Sequence, residues 1–169
     1  MNCTARTPHQ LSKLSDRMDI RPAVAADAGF IASLIRRCEF TLVSQPEYAA
    51  PFWESMSEAA HSRNLNSSRF FYALAEVDGE RVGFIAMRDK SHLFNLFVEP
   101  SKHRLGIGRA LWQHALNHLR NLATFDHVTV NASLKAVPVY RAFGFKEAGP
   151  LVRQHGIEFV PMLYRQASR

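Results

Sequence analysis

Leu93-Phe94-Asn95-Leu96-Phe97-Val98-Glu99-Pro100-Ser101-Lys102-His103-Arg104-Leu105-Gly106-Ile107-Gly108-Arg109-Ala110-Leu111 decides the fold, and helical periodicity carries it on to Leu122. The apolar run Leu93, Phe94, Leu96, Phe97, Val98 reads as a strand that stops at Pro100, which cannot donate to a sheet ladder. A basic stretch, Lys102-His103-Arg104, follows. Gly106-Ile107-Gly108 then opens a helix. The first backbone N–H groups of a helix lack intrahelical partners and carry the positive end of its dipole. Two glycines let a ligand approach that backbone, and Arg104 and Arg109 add charge. The stretch is an anion cradle suited to a phosphate or pyrophosphate.

Three cradles compete for this pattern. A Walker loop needs Gly-x-x-x-x-Gly-Lys-Ser/Thr, which does not occur. A dinucleotide fingerprint needs a third small residue after Gly-x-Gly, yet Arg109, Ala110 and Leu111 follow Gly108. Its acidic partner fails too, because Asp126 precedes an apolar run instead of ending one. The third pattern fits: Val98-x-Pro100-x-x-His103-Arg104-Leu105-Gly106-Ile107-Gly108 resembles the acetyl-CoA motif of the GNAT acyltransferases. A second stretch, Val128-Thr-Val-Asn131 through Tyr140 to Phe143-Gly144-Phe145, resembles that family's later motif. The resemblance spans roughly Asp19 to Tyr164. His103 stands where the family usually has Gln or Arg, and Leu105 where it often has a basic residue, which reads as retuned CoA affinity.

What the resemblance implies is specific. The fold is a single α/β domain over residues 19–169, with a mixed, mostly antiparallel sheet flanked by helices. Its fourth and fifth strands splay apart to take the pantetheine arm of acetyl-CoA. Phe97 and Val98 would hold the arm and thioester through their backbones, and residues 103–109 (His103, Arg104, Leu105, Gly106, Ile107, Gly108, Arg109) the pyrophosphate. Asn131 would hydrogen-bond the pantetheine. Tyr140 occupies the position of the general acid, and a phenol near pKa 10 suits a departing thiolate. The incoming amine needs a base or a water relay. His92 is the first candidate, with an ordinary pKa near 6.5, and Glu99 the second. Glu39, Phe52 and Trp53 are the candidate acceptor contacts, since the first two helices form the acceptor side in the family.

Composition sets wider bounds. The chain has 169 residues, 47% hydrophobic and 21% charged, enough for one domain that buries about two-thirds of its unfolded surface. Cys3 and Cys38, far apart, imply no disulfide framework, and a reducing cytoplasm is the expected setting. No apolar run approaches a membrane span, and residues 1–18 lack the apolar centre of a signal peptide. That polar segment reads as a loose tail, and Met18 directly before the family-like start raises the expectation that the native product omits part of it. A net charge of +6 and a pI near 9.7 are compatible with nucleic acid, but no block of five or more basic residues occurs, and an anionic cofactor already uses this charge.

Along the chain, a first strand is expected at 19–21, a helix from about Asp27 to Cys38, and a second helix over 46–61. Strands at 70–77 and 81–87 meet at Asp78-Gly79, a strong hairpin signal. A strand at 92–98, a helix at 106–122, a strand at 127–130 and a helix at 134–143 precede closing strands near 145–148 and 158–164. His114 and His118 have the i, i+4 spacing of metal ligands, but no Glu completes a metal motif and both fall in the apolar arc, so packing is expected and no metal. The leading reading is an N-acetyltransferase moving an acetyl group directly to a primary amine of a small molecule or protein, as a monomer or homodimer. Neither cysteine lies in a motif, which argues against an acyl-cysteine route. A non-catalytic CoA-binding regulatory module is the alternative, and a basic nucleic-acid binder the third.

Overall fold

The computed structural model describes residues 17–39, 42–122 and 125–166. Most of the tail (1–16), together with Phe40, lies outside them. Strand β1 (Met18–Pro22) starts one residue inside the segment read as tail and pairs antiparallel with β2 (Phe70–Val77). β2 turns into β3 (Glu80–Arg88) through Asp78 and Gly79, both at positive φ (53° and 79°), as a tight primed turn requires. β4 (His92–Val98) continues the antiparallel run, and β5 (His127–Ala132) joins it in parallel. β8 (Ile157–Arg165) pairs with β5, with β6 (Lys146–Glu147) and with β7 (Val152–Gln154). The strand order is β1-β2-β3-β4-β5-β8-β6, with β7 on β8.

Helix α1 (Ala28–Arg37) and the pair α2 (Ala50–Ser55) and α3 (Glu58–Leu65) pack on one side of the sheet around Ile31, Leu34, Ile35, Met56, Tyr72 and Phe84. Helix α4 (Ile107–Leu122) packs on the other against Val82, Ile85, Leu93 and Val130, burying Leu111, Trp112, Ala115 and Leu116. Short α5 (Val137–Ala142) joins that side. The two apolar layers explain why β3 reads as a nearly continuous hydrophobic run.

Two elements differ from the sequence expectation. The second helix is broken: a 3-10 turn at Pro46–Tyr48 leads into α2, and Ser57 in extended conformation separates α2 from α3. Its hydroxyl accepts the Ala60 N–H at 3.2 Å, starting a new helix where one continuous helix was expected. The second difference is β7, a short strand between the two expected closing strands, which makes a hairpin with β8 around His155 and Gly156. The closing strand expected at 145–148 shrinks to two residues.

His114 and His118 do pack: their rings stack on Phe71, His118 at 3.7 Å between centroids. Among the described residues no group of three or more His, Cys, Asp or Glu is placed to hold a metal, and no helix is long and apolar enough to cross a membrane.

Candidate active site

β4 is hydrogen-bonded to β3 along its length but to β5 only through the pairs His92–Thr129 and Leu93–Val130. Beyond Leu93 the two strands part. A bulge opposite Ala86 and Met87 bends β4 at this point. Gly83 lets β3 press against the far half of β4, since a Cβ there would lie 2.8 Å from the Phe97 carbonyl.

The direction of the unpaired backbone follows from alternation along each strand. Glu99 N–H donates to Val82 O at 2.8 Å, so Phe97, two residues back, also spends its backbone on β3. Leu96 and Val98 therefore face the gap. Across it, Thr129 N–H donates to Ser91 O at 2.8 Å, so Asn131, two residues on, also faces β4. This corrects the expectation for Phe97: its ring lines the cavity, but its peptide groups belong to the sheet. Val98 and Asn131 both face the gap, and so does Leu96, which the sequence analysis does not single out.

The gap opens at its Val98 end onto the glycine turn. Arg104 and Gly106 take positive φ (62° and 84°), and Ala110 N–H bonds Gly106 O at 2.9 Å to close the first turn of α4. The N–H groups of Ile107, Gly108 and Arg109 precede any intrahelical carbonyl and sit at the positive end of a 16-residue helix. A Cβ on Gly108 would come only to 3.9 Å from Phe143 and from Val98, so the cradle is snug there without being blocked. Two residues of the expected set are placed otherwise. Leu105 turns its side chain into the α4-side core, because the turn needs an apolar anchor. His103 Nε2 donates to the Val98 carbonyl at 2.8 Å, so that nitrogen caps β4 and charge for an anion comes from Lys102, Arg104 and Arg109.

Gap and cradle belong to one cavity of about 1050 Å³. Its charged lining comprises Arg88, Lys102, Arg104, Arg109 and Lys135 against Glu158, and Glu158 is already bonded to Arg153 at 2.7 Å. The bare amides, the basic rim and the open strand edges fit a long polyanion with an amide-bearing arm, as acetyl-CoA is.

Tyr140 forms part of the wall. Val137 and Tyr140 are the buried residues of α5, and the tyrosine ring meets Phe145 edge-on at 5.4 Å. Burial pushes its phenol above the ordinary value near 10. His92 also lines the cavity, at the closed end of the gap. Its Nδ1 lies 2.8 Å from Thr129 Oγ1, which is 3.3 Å from Ser91 O. With the hydroxyl donating to that carbonyl, Nδ1 carries the proton and Nε2 keeps its lone pair. Desolvation, then Arg88, lowers His92 to about 4. Glu99 is engaged by Arg37 in a two-point ion pair, which takes it out of contention as a base.

On the acceptor side the cavity gathers Leu42, Phe52, Met56, Phe94, Ile157 and Phe159. Phe52 is placed as expected. Trp53 is not in the wall; it packs edge-on to Phe52 at 4.9 Å and carries the Arg36 guanidinium 3.7 Å above its ring. Glu39 is exposed just beyond α1 and outside the lining. Ile157 and Phe159 come from the unforeseen hairpin. Cys38 reaches the lining with Sγ 3.9 Å from Val98 O. Burial and then Glu99 push its thiol up, so it is a packed thiol and not a nucleophile.

Comparison with known proteins agrees with this geometry. The sequence model of the acetyltransferase (GNAT) domain matches residues 33–165. The chain is 37% identical over 111 residues to the [ribosomal protein bS18]-alanine N-acetyltransferase of Escherichia coli K12, covering 63% of this chain and 72% of that protein. It is 30% identical over 94 residues to an N-alpha-acetyltransferase of Sulfurisphaera tokodaii, covering 45% and 56%. Among solved structures, the PaiA N-acetyltransferase of Thermoplasma acidophilum in complex with coenzyme A superposes with a TM-score of 0.75 at 16% identity, covering 88% of this chain and 99% of the other.

Proposed function

From the premise that this chain belongs to the GNAT acetyltransferase family, we propose that it transfers an acetyl group from acetyl-CoA directly to the N-terminal α-amine of a protein or peptide. The observation that carries this reading is the strand gap between β4 and β5, open onto the amides of Ile107–Arg109 and flanked by Tyr140 and His92.

When bound, acetyl-CoA supplies a thioester carbonyl activated towards attack; the rest falls to the residues of this chain. The amides of residues 107–109 hold the pyrophosphate, with Lys102, Arg104 and Arg109 neutralising it. The open backbone of Leu96 and Asn131, with the N–H of Val98, takes the place of a missing strand partner for the pantetheine. Val98 N–H faces the developing negative charge on the carbonyl oxygen, where a fixed donor in a dry site is worth most. Tyr140 delivers its hydroxyl proton to the departing sulfur. The burial that raises the phenol also raises the basicity of a thiolate formed beside it, so donor and acceptor stay matched.

The amine proton passes to His92 Nε2. A histidine lowered to about 4 is neutral at physiological pH but too weak to strip an ammonium. The acceptor must therefore bind from its neutral fraction, which near pH 7.4 is about a fifth for a protein α-amine near pKa 8 and only about a thousandth for a lysine near 10.4. The lining charge points the same way, since one already paired carboxylate cannot hold a polyamine. The relatives acting on alanine and α-amino groups support the same class.

A panel of alanine-initiated peptides, lysine-bearing N-blocked peptides and spermidine, followed by release of free CoA thiol, tests the reading. The α-amine peptides should react best, with kcat/KM rising to a plateau through a midpoint at about the pKa of the acceptor, near 8. Preference for spermidine, or a midpoint near 6.5 whatever the acceptor, would contradict it.

A further inference from the structure

Three polar or charged side chains are buried among the described residues: Asp27, His61 and Asn95. Asp27 is fully engaged by Arg21, Arg81 and the Val24 N–H. His61 bonds Tyr72 through Nδ1 at 3.0 Å and does not reach the cavity. Asn95 is different. It is 7% exposed and belongs to the cavity lining; among the described residues its Nδ2 meets the Met56 thioether at 3.7 Å, while Oδ1, itself buried, has no partner. A thioether is a weak acceptor, so the carboxamide has its stronger capacity unused.

Its surroundings sharpen the point. Cys38, Phe52, Met56, Phe94 and Phe97 share the cavity lining with it and belong to the apolar layer on that side of the sheet, and Met56 touches it. In such a setting an unmatched carbonyl oxygen strongly favours a guest that brings an N–H. The bulge in β4 opposite Ala86 and Met87 falls beside Asn95 and re-aims its side chain.

The geometry points to Asn95 as the residue that reads the acceptor: its carboxamide, held only by the weak Met56 contact, turns so that Oδ1 accepts one N–H of the attacking α-amine. This rests on the functional reading above, which supplies the amine. A neutral α-amine has two N–H groups and one lone pair. With one N–H held by Asn95 and the other directed to His92, the lone pair is left for the carbonyl carbon. Asn95 thus discriminates for primary amines and orients them.

The test is calorimetric titration of an alanine-initiated hexapeptide into the full chain saturated with CoA, using wild type, Asn95→Leu and Asn95→Ala. Leucine fills the space without the polar group, and alanine covers the case in which leucine does not fold. The expected result is peptide affinity weakened by about tenfold or more, with CoA affinity unchanged and, for Asn95→Leu, a melting temperature equal to or above wild type. Wild-type peptide affinity in either folded variant overturns the role of Asn95 and leaves the α-amine reading intact. A wild-type protein that binds the peptide but does not acetylate it, with both variants weakened, supports Asn95 as a recognition residue and removes the proposed activity. A wild-type protein that does not bind the peptide overturns both.

Discussion

Tyr140 is both part of the α4-side core and part of the cavity wall, and the proposed mechanism asks its hydroxyl to donate the proton. Phenylalanine keeps the packing and lacks the proton. Tyr140→Phe should therefore fold normally and keep its acetyl-CoA affinity while kcat falls by about 10²-fold or more, the usual contribution of a positioned acid; stopped-assay kinetics with calorimetry separate the two. A large affinity loss with intact kcat would refute the acid role. Tyr140 was legible because its motif is local, with Phe143, Gly144 and Phe145 close behind it. Asn95 was not, because its isolation depends on a bulge in a strand and on Met56 from a distant helix. Phe97 and Val98 show the limit at finer grain. Sequence places both on the right strand, but which one faces the gap depends on the Glu99–Val82 hydrogen bond, a matter of register with β3.

At the scale of elements, the strand–turn–helix unit from His92 to Leu122 was readable because its chemistry is punctuated by residues with one use each. Pro100 ends the strand and Gly106 permits φ of 84°. The amide cradle it forms admits a direct challenge. Gly108→Glu sets a carboxylate against the seat of the pyrophosphate, and calorimetry should find CoA binding abolished with the fold retained by circular dichroism. Unchanged binding would remove the cradle assignment. The acceptor-side elements were less legible. The 46–61 segment carries aromatic residues at spacings one helix would tolerate, and only the capping role of Ser57 shows that the chain re-enters a second helix. The β7–β8 hairpin is short and polar at its tip, so its strand content comes from pairing and not from pattern.

For the molecule as a whole, the sheet divides the apolar interior into two layers, and two histidines beside it are kept neutral by burial. His61, with no exposed surface, is lowered to about 4 by desolvation, and His92 to about 4 as well. The unfolded chain binds these protons near pH 6.5. Folding is therefore undiminished above that value and loses stability as pH falls from about 6.5 towards 4, by on the order of 3 kcal/mol for His61. Thermal melts at pH 7.5 and 4.5 should show this drop, and His61→Phe should shrink it. An equal drop in the variant would assign the acid sensitivity elsewhere.

One glycine at the hairpin tip reaches further than its size. The carbonyl of Gly156 receives the N–H groups of Ser44 and Gln45 at 2.9 and 3.0 Å, and a Cβ at that position would lie 2.4 Å from the Gln45 carbonyl. The clasp joining the two rims of the cavity mouth is thus mostly main chain, with the Ser44 hydroxyl adding a bond to the same carbonyl at 3.2 Å. Neighbouring side chains such as Tyr48 and His155 take no part in these bonds, so the rim can be redrawn for a different acceptor while the frame beneath keeps its shape.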